Sequence, residues 1–398
     1  TKLQANPQHN KRTTLTATLL LTGLASTGTS VIWNGLPFIA KRDYGFSESE
    51  NLLLYLLIGF VYVAGAVVSG RCSRLLEPYI SMRTFMGVLL LAVALVCSLP
   101  LFAKSGSAWI ILSAGGVAGF CSALLWPIVE SYLVAGRHGP EMRRVIGWWN
   151  LVWMCSVAGV MLAMAPLMET YASMVIVGLG GMNIIAICVL PLFPKKPPCH
   201  EATWAKEHVP KSYKGLLKGA RVLLPLSYVI NGVLSPLLPF ILTGIAIDIF
   251  WQTPVVAIWM LTRVIATSIM WKTGGWHGKW STLWLGLGAI SSGFVFIMAA
   301  SGLPILIVGL ILLGSGMGVI YYIALYYALS VGDAQVDAGG KHEAFIGGGY
   351  MVGPILGLAS LQLAPIEGES GFDAIMYVVL AFLIASAVAL GLFWKKDR

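Results

Sequence analysis

Glu130 and Arg263 are the residues best placed to do chemistry in an otherwise apolar chain. Glu130 closes the run Pro127-Ile128-Val129-Glu130, about six residues before a polar break. At 1.5 Å per helical residue, that is roughly 9 Å inside an apolar segment. A carboxylate at such depth needs a cation or a proton. Arg71, Arg74, Arg143 and Arg144 lie toward the same edge and are the nearest cations by position. Three roles fit Glu130: a gate latch that breaks when that edge opens, a coupling acid that titrates during turnover, or a static ion pair orienting a helix end. Arg263, in Trp259-Met260-Leu261-Thr262-Arg263, is the only basic residue deep in an apolar segment. An unpaired guanidinium there costs ~3 kcal/mol or more. It either faces a cavity, holding an anionic group or a coupling carboxylate, or it snorkels to backbone carbonyls.

A second set of residues could bind rather than react. Trp33, Asn34, Trp126, Asn150, Asn231, Tyr321, Tyr322 and Tyr326 fall mid-segment, with Trp148, Trp149 and Trp153 around Asn150. Aromatic walls with a few polar handles suit an amphipathic or aromatic organic substrate. Trp and Tyr near segment ends also serve as interfacial anchors. Asn34, Asn231 and Tyr322 are the better cavity candidates, because their polar atoms avoid lipid. His342 and Glu343 open an apolar segment just after Asp333 and Asp337. Negative charge suits a helix N-terminus, and Glu343 is also the candidate for a second gate. Asp248 is expected in solvent. The six cysteines show no CxxC spacing, and the six histidines map to segment edges or tails. No metal constellation, nucleotide loop or nucleophile–base pair is visible. Neither enzymatic activity nor a cofactor is expected.

The elements that position these residues follow from composition. The chain is 57% hydrophobic and only 11% charged, whereas soluble domains carry about 25% charged residues. Twelve apolar stretches are long enough to cross ~30 Å of hydrocarbon. They run 14–40, 51–70, 84–103, 107–135, 144–168, 171–193, 216–244, 249–271, 282–301, 304–331, 344–364 and 372–394. They lack strict alternation, which points to helices and away from a barrel. The first run is too long for a cleavable signal peptide. With both ends cytoplasmic, only Lys41, Arg42 and Lys104 of the 26 Lys and Arg fall outside and Arg263 lies within a helix, leaving 22 inside. That asymmetry predicts a plasma (inner) membrane protein with cytoplasmic termini. The net charge of +9 is then a topological signal and no case for nucleic-acid binding.

The chain also repeats itself. Leu36-Pro37-Phe38-Ile39 returns as Leu238-Pro239-Phe240-Ile241, 202 residues later. Ala135-Gly136 leading into Arg143-Arg144 is echoed by Val331-Gly332 leading into Glu343-Ala344. Two related halves are expected, residues 1–193 and 216–398, joined by a basic, Pro-rich cytoplasmic linker at 194–215. Internal repeats in a membrane protein point to a transporter with its site between them.

Twelve helices in two six-helix halves, a large middle loop and short loops elsewhere resemble the major facilitator superfamily over nearly the whole chain. Gly70-Arg71-Cys72-Ser73-Arg74-Leu75-Leu76-Glu77 matches that family's loop between helices 2 and 3 at the glycine, but Arg74 stands where an Asp is usual. Pro127-Ile128-Val129-Glu130 before Arg143-Arg144 is similar to the family's acid-then-Arg arrangement. Gly349-Tyr350-Met351-Val352-Gly353-Pro354 resembles a drug-antiporter signature, in helix 11 instead of helix 5. The resemblance implies an all-α fold, helices 1, 4, 7 and 10 lining a cavity, and alternating access. It also implies a monomer in the bilayer carrying a small molecule, with protons as the coupling ion one option. An uncoupled or anion-selective facilitator, and a non-transporting assembly partner, are the alternatives.

Overall fold

The computed structural model describes residues 7–102, 106–134, 136–137, 139–197, 210, 212–331, 336–363 and 371–397. Lys104, His138, Cys199, His200, His208, Asp333 and most of the 194–215 linker lie outside them. Among the described residues, twelve helices are long and apolar enough to span a membrane. They are α1 Thr14–Tyr44, α2 Glu48–Leu76, α3 Met82–Leu101, α4 Ala108–Val134, α5 Pro140–Ala163 and α6 Met174–Leu192. The second six are α7 Ser212–Gly244, α8 Ile249–Lys272, α9 Trp280–Met298, α10 Leu303–Ala328, α11 Gly339–Gln362 and α12 Phe372–Asp397. They coincide in order with the twelve apolar stretches of the sequence.

Local chemistry starts several of these helices. Ser47 and Glu50 form a reciprocal capping box at α2, which satisfies amides that have no helical partner. Ser81 caps α3 with its side chain alone, accepting from Thr84 N at 3.1 Å. Asp248 accepts from Phe250 N at 3.0 Å and so caps α8, a more specific role than that of a solvated loop acid.

Three local features shape these helices. Pro37 and Pro239 lie inside their helices. A π-helical turn at Val31–Gly35 lets α1 continue as Leu36–Tyr44 with Pro37 in the new first turn, where a missing N–H breaks no bond. α7 runs on through Pro225, Pro236 and Pro239. The eleventh helix starts at Val336, well before the apolar stretch at 344. Its early turns therefore carry His342 and Glu343 into the interior, 5% and 4% exposed. Hydropathy missed this because those side chains face other helices and not lipid. Finally, the glycines of α11 serve close packing. A Cβ at Gly349 would lie 2.4 Å from the Pro225 carbonyl oxygen, and one at Gly353 2.5 Å from that of Val229. Small residues let α7 and α11 approach this closely.

The first six helices meet the last six along α2–α11 and α5–α8. At one end the two repeated Leu-Pro-Phe-Ile segments form the seam. Lys41, just past the first copy, donates to the Pro239 carbonyl at 2.9 Å and the Thr243 hydroxyl at 2.6 Å. Asn51 bridges the carbonyls of Pro37 and Pro236, each at 3.1 Å. The opposite, basic end carries Lys195, Lys196 and the last turn of α12. There, Arg143 approaches His277 Nε2 at 3.4 Å. Gly340 and Gly147 bring α11 onto α2 and α5 onto α8, with Cβ positions 2.5 Å from Ser69 Oγ and 2.2 Å from Trp271 Nε1. The halves thus touch at both ends.

Candidate functional site

Between the two seams lies a cavity of about 60 Å³, room for a few water molecules. Trp33 and Asn34 of α1, Tyr62 of α2, Trp126 of α4, and Trp149 and Trp153 of α5 form one wall. Tyr228 of α7, Trp259 and Arg263 of α8, Tyr321 of α10, and Glu343 and Tyr350 of α11 form the other. The rings interlock across the halves. Trp33 stacks on Tyr350 with centroids 3.7 Å apart at 16°, and Trp153 meets Tyr321 edge-on at 5.5 Å. Trp126 packs edge-on against Trp149 at 6.2 Å within the first half.

Arg263 is 1% exposed and does not snorkel. Its guanidinium sits 4.8 Å from the Trp153 ring and 4.7 Å from the Tyr321 ring. Nη2 donates to the Tyr228 hydroxyl at 3.1 Å, while Nε has no acceptor. Desolvated cation–π contacts contribute up to ~2 kcal/mol each, enough to offset much of the ~3 kcal/mol burial cost. Among the described residues no carboxylate forms an ion pair with it. Two asparagines shape this site from behind. Asn150 accepts from Trp153 Nε1 at 3.0 Å, fixing the ring against Arg263. Asn231 donates to the Tyr350 hydroxyl at 2.8 Å. Neither lines the cavity.

Glu130 is 2% exposed, and neither carboxyl oxygen has a hydrogen-bond partner. The four arginines expected around it are elsewhere. Arg71, Arg74 and Arg144 are exposed, and Arg143 turns to His277. Glu77, the last residue of the loop motif, pairs with Lys196 at 2.7 Å. What adjoins Glu130 is α11: a Cβ at Gly339 would lie 2.6 Å from its Oε2. Glu343 follows on the same face of α11, four residues on, and interacts electrostatically with Glu130. The Tyr62 hydroxyl donates to Glu343 Oε2. Two buried carboxyls, one from each half, therefore share this corner of the protein. Arg137 holds the end of α4 in place: it is 2% exposed and donates to the Leu133 carbonyl at 2.6 Å. Burial lowers its pKa, which Glu141 partly offsets.

Of the sequence candidates, Trp33, Asn34, Trp126, Arg263 and Tyr321 come together in the cavity. Tyr322 and Tyr326 do not. They belong to an aromatic cluster at the basic end with Trp276 and His277, the latter 4.9 Å from Tyr326. Burial and the adjacent Arg143 hold the His277 pKa below its usual value. Glu343, expected at a helix start, lines the cavity. Tyr62, Tyr228 and Tyr350 are cavity residues that sequence reasoning passed over. Their signal was a tyrosine near the middle of an apolar segment, away from the interfaces where tyrosine anchors helices.

The fold and central cavity are those of a membrane transporter. The Major Facilitator Superfamily model matches residues 18–340, and the chain belongs to that superfamily. No curated protein sequence matches the chain. Among solved structures it resembles the nucleoside transporter NupG, with a TM-score of 0.66 at 11% identity, covering 97% of this chain and 99% of that one. It also resembles a bacterial homologue of the human lysosomal transporter Spinster in an inward-facing, unoccupied conformation (TM-score 0.65, 13% identity, 99% of each chain). A third is the human organic anion transporter MFSD10, with a TM-score of 0.62 at 14% identity, covering 96% of this chain and 100% of that one. At these identities the likeness is one of fold.

Proposed function

We propose that this protein is a secondary transporter that moves a small aromatic or amphipathic organic solute by alternating access, coupled to protons. The cavity carries the reading: both halves supply its walls, and those walls are aromatic with one buried cation. Rocking residues 1–193 against 216–398 parts the seam at one end while the other stays shut, which exposes the same residues to each side in turn. The solute enters when α1 and α7 separate at Lys41, or when α2 and α11 separate at the basic end. Aromatic faces hold its body, and Arg263 and Asn34 supply polar contacts. Glu130 and Glu343 lie where α4 and α11 touch, so opening the basic end hydrates both and changes their proton occupancy. The basic end is cytoplasmic on the asymmetry of Lys and Arg, in a plasma (inner) membrane, and the protein works as a monomer.

Reconstituted proteoliposomes test this. Organic cations, anions and neutral aromatics are added while a lumenal dye follows pH. Solute-dependent proton flux is expected, at least tenfold smaller in Glu130→Gln, with solute counterflow retained. Absence of counterflow for every class would sink the transporter reading.

A further inference from the structure

We propose that the transported solute is an aromatic organic anion held by Arg263, and that one proton joins the Glu130–Glu343 pair each time the anion binds. This rests on the transporter reading above. Arg263 is fully buried with Nε unpartnered, in a cavity that Glu343 also lines. Among the described residues the two form no ion pair, and Glu343 instead accepts from the Tyr62 hydroxyl. With Nη2 on Tyr228, the Nε N–H is the guanidinium donor left for an anion from outside the protein.

Charge accounting supplies the proton. Glu130 lies against α11 one turn before Glu343, both carboxyls are buried at 2% and 4% exposure, and among the described residues neither has a salt-bridge partner, so ionising both at once is unfavourable. With one proton between them the pair carries one negative charge, and Arg263 balances it. The other groups facing this region are Tyr62 from α2, Tyr228 from α7, Tyr321 from α10, and His342 and Tyr350 on α11, with Arg221 exposed at the basic end of α7. An anion arriving at Arg263 leaves the closed cavity one charge negative, and a second proton on the pair restores neutrality. A cation would require both adjoining carboxyls to ionise. A neutral solute would require no proton. Anion and proton therefore move together, one to one, with no net charge. The stacked Trp33–Tyr350 pair favours a flat body.

Quenching of tryptophan fluorescence by 4-nitrobenzoate, 4-nitrobenzamide and 4-nitrobenzylamine tests binding at acid and neutral pH. A charged hydrogen-bonded contact predicts at least ~10-fold tighter binding of the carboxylate than of the amide, and tighter still at acid pH. Arg263→Gln should erase the preference for the carboxylate over the amide. The double variant Glu130→Gln with Glu343→Gln should keep the preference and lose its pH dependence. In proteoliposomes, carboxylate uptake should follow a pH gradient and ignore a potassium-diffusion potential. Equal binding of amide or amine, a preference that survives Arg263→Gln, or uptake driven by potential would overturn the proposal and leave a transporter of another solute. If no member of the panel bound or exchanged, the transporter reading would fall with it.

Discussion

Asn150 never touches the cavity, yet it sets how Trp153 meets Arg263. Replacing it with Leu leaves the buried Trp153 Nε1 without its acceptor, at a cost of about 1–3 kcal/mol. Solute binding by tryptophan quenching should weaken by about fivefold or more, while the helical circular dichroism is unchanged. His277 offers a second test at this scale. Arg143 can only donate, so Nε2 accepts from it and the ring is neutral in the closed seam. Burial and Arg143 lower the His277 pKa there. The contact is therefore fully present above the ordinary histidine value of ~6.5 and weakens as pH falls below it. Acidification should raise cysteine labelling of the cavity from the basic end, measured as the difference from His277→Gln. That variant keeps an acceptor for Arg143 and cannot titrate, so an equal response in both proteins would exclude the histidine.

Helix pairs decide which end can close. Gly340 lets α11 settle on α2, and a Cβ there would meet Ser69 Oγ at 2.5 Å and the Ala66 carbonyl at 2.9 Å. The backbone atom cannot yield as a side chain can. Gly340→Val should hold the basic end apart, since overpacking costs about 1–3 kcal/mol. In a cysteine-free background, Ile346→Cys, on the cavity wall, should then react about tenfold faster from the basic side, and net transport should fall. Unchanged labelling would show that α2 and α11 yield without parting. The π-helical turn at Val31–Gly35 works at the same scale: it carries Trp33 and Asn34 and lets α1 absorb Pro37 without breaking.

The whole molecule couples its two seams, because both halves close one end as they part the other. Lys41→Met keeps an apolar stem over the Phe240 ring but removes the donors to Pro239 and Thr243. Labelling of Ile346→Cys should rise several-fold from the Lys41 end and drop from the basic end, because loosening one seam shifts the population toward the state in which the other is shut. A rise from both ends would mean leakage and would contradict rigid-body alternation.

The sequence by itself determined the twelve helices, the superfamily resemblance and the singular position of Arg263. Hydropathy and charge are local properties, and a lone cation in an apolar run is visible without any partner. The repeated Leu-Pro-Phe-Ile segments pointed to symmetry, though not to their meeting in one seam. Only the tertiary structure decided what surrounds Glu130. Spacing along the first half suggested arginines, but what packs against it is α11 at Gly339, more than 200 residues away, on the helix that also carries Glu343. Which faces of α4 and α11 turn together depends on helix rotation and close glycine contacts between the halves. The same holds for Tyr62, Tyr228 and Tyr350, whose roles follow from facing one shared cavity and not from any spacing within their own segments.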